Sequence, residues 1–85
     1  MQDIRIADNL WASNMLPEGL FERWRVAEGA SVGRGEVVAE IRVEDALHEV
    51  VAPTAGRLLQ LTGPGAIIEP GSLIARLDLP MNQPH

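Results

Sequence analysis

Two carboxylates stand side by side at Glu44 and Asp45 in the stretch EIRVEDALHEVVAPTAG, residues 40–56; His48 follows three residues after Asp45, with Glu49 beside it. Adjacent acids at a turn can do three things. Asp closes turns by accepting hydrogen bonds from nearby backbone amides. An exposed acidic pair can enter an arginine pocket on a partner, or it can hold a divalent cation. The cation is the weakest fit, because two neighbouring turn residues cannot surround an ion that takes six or more oxygens. A plain solvent-facing turn is the reading the other two must beat. His48 and Glu49 do not make an acid–base pair, since neighbours on a strand point to opposite faces. A catalytic histidine also needs an orienting acceptor and a nucleophile within hydrogen-bond reach. Ser13, Ser31 and Ser72 sit in ordinary turn contexts and no G-x-S-x-G is present. No enzyme is indicated.

Composition narrows the chemistry further. The chain has 85 residues, a net charge of −5 and no cysteine, so disulfides, thiolate metal sites and thiol nucleophiles are excluded. Its seven cations are all arginine (Arg5, Arg23, Arg25, Arg34, Arg42, Arg57 and Arg76), and there is no lysine. They are scattered, whereas a phosphate backbone needs concentrated positive charge, so nucleic acid is not an expected partner. No apolar run approaches the length of a membrane span, and MQDIRIADN lacks a basic run followed by an apolar one. The expected compartment is the cytoplasm, with no membrane role.

The elements that must position these residues read as strands. Apolar residues come in short alternating or continuous runs separated by Gly, Pro and Asn. The candidate strands are DIRIA, GLFERWRV, EVVAEIRV, ALHEVVA, GRLLQLT and SLIARLDL, with short bridging pieces near Ser31–Val32 and Ile67–Ile68. Many short strands at close spacing predict an all-β sandwich or barrel. The domain is expected over residues 1–79, followed by a flexible polar tail over 80–85.

An internal repeat sharpens the prediction. Shifted by 36 positions, GASVGRGEVVAEI (Gly29–Ile41) overlays GAIIEPGSLIARL (Gly65–Leu77). Gly29/Gly65, Ala30/Ala66, Gly35/Gly71 and Ala39/Ala75 are identical, and four further pairs are apolar on both sides. Upstream, GLFERW (Gly19–Trp24) matches GRLLQL (Gly56–Leu61) with a slip of one residue. Such a slip reverses strand facing unless a bulge absorbs it, so a bulge or a different turn length is expected there. Two copies of a four-strand unit point to two sheets related by an approximate two-fold axis.

On these residues the chain resembles the biotinyl/lipoyl attachment domain family over nearly its whole length. Gly19, Phe21, Trp24, Val26, Gly29, Val32 and Gly35 fill the family's G-x-I-x-x-W-x-V-x-x-G-x-x-V-x-x-G segment, and Ala52, Pro53 and Gly56 fill its A-P-x-x-G stretch. Spacing and residue type agree over about sixty positions. The resemblance implies a flattened barrel of two four-stranded antiparallel sheets with quasi-two-fold symmetry, a barrel-sandwich hybrid. Lipoyl members carry I-E-T-D-K-A-x-x-E-V-x-A-P at the hairpin. Ile41, Ala46, Glu49, Val50, Ala52 and Pro53 fall in register with that pattern, which places Asp45 at the position of the modified lysine. The methionines that flank the biotinyl lysine are missing, so the lipoyl branch is the closer relative.

Lipoate and biotin are carried on a lysine amine, and this chain has none, so no cofactor is expected. The resemblance implies an unmodified docking or regulatory module. Its partners would be components of a 2-oxo acid dehydrogenase-type system, with contacts at the tip residues Glu44, Asp45 and Ala46, and with His48 and Trp11 as further contact candidates. Trp24 is expected in the core. The NLWASNMLPEG segment around Trp11 reads as a lid over one barrel end or, less favoured, as an apolar patch for a partner. A monomer is expected. The alternatives are a structural or oligomerisation unit and a degenerate carrier without retained activity; non-covalent lipoate or biotin binding is disfavoured, because side chains fill so small a barrel.

Overall fold

The computed structural model describes residues 1–7 and 18–79. The sequence readings for Trp11 and for the tail over 80–85 lie outside the described residues. Eight strands follow in chain order: β1 (Gln2–Arg5), β2 (Gly19–Trp24), β3 (Ser31–Val32), β4 (Val37–Val43), β5 (Ala46–Val51), β6 (Gly56–Gln60), β7 (Ile67–Ile68) and β8 (Leu73–Asp78). They form two four-stranded sheets of order β1-β8-β6-β3 and β5-β4-β2-β7, with every pairing antiparallel. Each expected strand is present, the two bridging pieces included.

The repeat becomes an approximate two-fold axis. It exchanges β2 with β6, β3 with β7, β4 with β8, and β5 with β1, and so maps one sheet order onto the other. Backbone hydrogen bonds repeat in the same way. The Gly29 amide donates to the Leu58 carbonyl as the Gly65 amide donates to that of Phe21, and the Gly35 amide donates to Ala52 as the Gly71 amide donates to Ile6. These four glycines all have positive φ, between 79° and 90°, where a side chain would be strained. Gly19 is needed for another reason: a Cβ there would lie 2.9 Å from the Arg42 carbonyl oxygen, against backbone that cannot yield.

The one-residue slip between the copies is a β-bulge in β2. Phe21 faces Ile41 and Arg23 faces Glu40, leaving Glu22 as the extra residue. In the equivalent pair, Leu58, Leu59 and Gln60 face Leu77, Arg76 and Ala75 without interruption. The bulge keeps both Phe21 and Trp24 on the inner face although three positions separate them. Phe21 is fully buried in a core that includes Ile41, Val43, Leu58, Ile74 and Leu77. Trp24 sits at the rim of that core, half-buried, not within it as expected. The reason is its indole N–H, which must find an acceptor. It donates to the Thr62 carbonyl at 3.0 Å while the ring packs at a tilt against Phe21, centroids 4.7 Å apart.

Candidate functional site: the hairpin end of one sheet

β4 and β5 are joined by the two residues Glu44 and Asp45, and Val43 pairs with Ala46 at the last rung. Both loop residues have positive φ, 52° and 69°, the signature of a type I′ turn whose twist matches that of the flanking strands. Asp at the second position tolerates this conformation better than most side chains, and Glu at the first does not. Glu44, Asp45, Ala46 and Leu47 are all exposed. The structure thus brings the three tip residues together at one projecting end, as the solvent-facing turn reading requires.

His48 is placed differently. It pairs with Ile41, whose side chain is fully buried, and is itself half-buried on the inner side of β5. Glu49 pairs with Glu40 and points to the outer side. The two are therefore on opposite faces of the strand, and the described residues hold no cluster of three or more His, Asp or Glu able to hold a metal ion.

The outer face carries two ion-pair systems. Arg42 donates from Nε to Glu22 Oε2 at 2.7 Å. That hydrogen bond and then the Glu22 charge raise the Arg42 pKa, desolvation opposes them, and the Asp45 charge adds the least, so Arg42 stays cationic. Glu40 is the one buried charged residue among those described, 8% exposed. Its Oε2 accepts from Arg25 Nη1 at 2.6 Å. Its Oε1 lies 2.9 Å from Arg23 Nε but off the N–H direction, an ionic contact without an aligned hydrogen bond. Arg25 also reaches to 4.0 Å from Glu49, linking the edge strand β5 to the sheet. The sequence reading missed this clamp; its only signal was the pair Arg23 and Arg25 on the strand facing an acid-bearing one.

A surface groove of about 490 Å³ belongs to the other sheet and is lined by Ser31, Val32, Gly56, Arg57, Asp78 and Leu79 among others. No hairpin residue borders it, so it has no part in the tip.

Residues 12–77 match the family described as "Biotin-requiring enzyme", the biotin/lipoyl domains. This chain belongs to the biotin/lipoyl attachment domain family. The domain is 37% identical over 67 residues to the lipoamide acyltransferase component of the branched-chain alpha-keto acid dehydrogenase complex of Pseudomonas aeruginosa, an alignment that takes in 73% of this chain. The aligned part is 16% of that relative's length. Its fold superposes with a TM-score of 0.68 on the solution structure of the lipoyl domain of the 2-oxoglutarate dehydrogenase complex from Azotobacter vinelandii, at 23% identity, covering 87% of this chain and 94% of that one. Among the described residues no helix is long and apolar enough to cross a membrane.

The prosthetic groups of this family are joined through an amide to a lysine amine. The tip of this biotin/lipoyl domain offers Glu44, Asp45 and Ala46, and no lysine occurs in the sequence. The residues present do not fit covalent lipoate or biotin.

Proposed function

We propose that this biotin/lipoyl domain works unmodified, as a non-catalytic binding module that docks to or regulates a 2-oxo acid dehydrogenase-type assembly and carries no cofactor. One observation supports this above the others. The hairpin is built as for display, with a two-residue turn projecting from paired strands, yet its second turn position is Asp45. A carboxylate cannot supply the nucleophile for acylation. What the tip can supply is a pair of negative charges to an arginine- or lysine-lined pocket, in which charge-assisted hydrogen bonds are the strong ones. The likeness to an acyltransferase component supports this class of assembly.

The test is capture of purified 2-oxo acid dehydrogenase components by the immobilised domain, alongside Glu44→Ala and Asp45→Lys. The expected result is capture by the natural chain and at least tenfold weaker capture by both variants. Intact mass after co-expression with a lipoate ligase provides the companion readout: no added mass on the natural chain, and an added lipoyl group on Asp45→Lys. A lipoyl or biotinyl adduct on the natural chain would overturn the proposal.

A further inference from the structure

The outer face of the β5-β4-β2-β7 sheet carries an apolar row that the fold does not require. Leu47 pairs with Arg42, Arg42 with Leu20, and Leu20 with Ile67, so one residue from each strand lines up across the sheet. All four point outward, because their neighbours Phe21, Val43 and Ile68 are buried on the inner side. Leu47 is 48% exposed and Ile67 63%. The one cation in the row has its guanidinium held by Glu22, which leaves the aliphatic stem of Arg42 lying between Leu20 and Leu47. With strands about 4.8 Å apart, the row is about 14 Å long and runs at right angles to the chains.

The approximate two-fold axis supplies an internal control. The positions equivalent to Arg42, Leu20 and Ile67 in the other sheet are Asp78, Arg57 and Ser31, which pair in the same order. At these three positions the same geometry is served by polar residues, while the place of Leu47 is taken by Met1 ahead of β1. The apolar row is therefore a property of this face and not of the architecture.

Charge decides what could cover it. The strands begin or end at the hairpin end of this sheet, and the residues that flank them there are Glu18 before β2, Glu44 and Asp45 between β4 and β5, and Glu69 after β7. One margin of the row is thus lined by four carboxylates. Resting on the docking reading above, we infer that this face, and not the tip alone, receives the partner, and that the partner element is an amphipathic helix with Lys or Arg along one flank. A row perpendicular to the strands cannot be followed by an added edge strand. A helix laid along it presents apolar side chains at i, i+3 or i+4, and i+7, a span of about 10 Å. Its cationic flank meets the acidic margin, while the same margin repels anionic lipid surfaces.

The experiment titrates the isotopically labelled chain with a synthetic helical peptide that has a leucine stripe and lysines on one flank, and with the same peptide carrying glutamates there. The expected result is amide shifts centred on Leu20, Arg42, Leu47, Ile67 and the acidic margin, from the lysine peptide alone. Leu47→Lys combined with Ile67→Lys should weaken binding at least tenfold. Both sites are exposed, so the fold should persist. Glu18→Gln with Glu69→Gln gives a second, isosteric test, expected to weaken binding about threefold and to flatten its salt dependence. Shifts confined to residues 44–46 or to the other sheet would overturn the inference, as would equal response to both peptides or no response to either. Failure here separates from failure of the docking reading. Components captured equally by the natural chain and by the Leu47/Ile67 variant would sink this inference alone; peptide binding on the row with no component captured would sink the docking reading alone.

Discussion

Glu40 shows how a single side chain can be held in two unequal ways. Glu40 is buried, while the side chains of the two arginines that pair with it, Arg23 and Arg25, are 65% and 46% exposed. Removing the acid returns two arginines to water, where they are readily solvated. Removing both arginines strands a buried charge. Glu40→Ala is therefore expected to cost about 1 kcal/mol, in the range of exposed pairs, and Arg23→Ala with Arg25→Ala about 3 kcal/mol. Urea denaturation of the three proteins measures the asymmetry; equal losses would show that Glu40 is not desolvated. Asp45 is a residue-scale case of a different kind. Its φ of 69° suits glycine better than aspartate, so Asp45→Gly is expected to raise stability by up to about 1 kcal/mol. A higher urea midpoint with unchanged slope would confirm it, and would mean that Asp45 is held at some cost to the fold.

At the scale of the strand, the bulge at Glu22 is the feature that sequence comparison of the two copies could locate but not describe. GLFERW and GRLLQL differ by one residue in their distance to the next conserved glycine, which is legible in the letters. Whether the surplus residue enters a turn or a strand depends on which partner it faces. Here Glu22 and Arg23 share the outer side opposite Glu40, each with its own ion pair. Deleting Glu22 should consequently restore the uninterrupted pairing seen between β6 and β8, with Phe21 and Trp24 still inward. In a Trp11→Phe background, the Trp24 emission maximum should stay blue-shifted, with a stability loss of about 1 kcal/mol from the lost ion pair. Emission shifted to the red would mean that facing had reversed. Trp24 itself was placed by the family spacing, but its position at the rim follows from an acceptor, Thr62, that lies 38 residues away in sequence.

For the molecule as a whole, the quasi-two-fold arrangement makes each half incomplete. β3, from the first copy, pairs with β6 in the sheet of the second, and β7, from the second, pairs with β2 in the sheet of the first. The inner faces of both sheets meet in one core. A fragment spanning residues 18–53 holds β2 to β5 but lacks the partners of β3 and the opposing half of the core. It is expected to be unfolded by far-ultraviolet circular dichroism, and to gain strand signal only when mixed with the complementary fragments. A folded fragment would show that the copies are independent. The symmetry also sets off what is not symmetric: Leu20 and Ile67 of the apolar row have the polar counterparts Arg57 and Ser31, and it is there that recognition is expected.

The letters alone determined the strands, the repeat and the missing amine, because each is a local pattern: alternation, turn residues and the identity of position 45. They also determined that the tip is acidic, since positions 44 and 45 are both carboxylates. What only tertiary structure decided was company. Glu40 is buried because β2 supplies Arg23 to its face and the segment after β2 supplies Arg25, and Leu20, Leu47 and Ile67 form a row because three separate strand pairings bring them into line. Register between distant strands is fixed by the summed packing of the core, and no short stretch of sequence contains that sum.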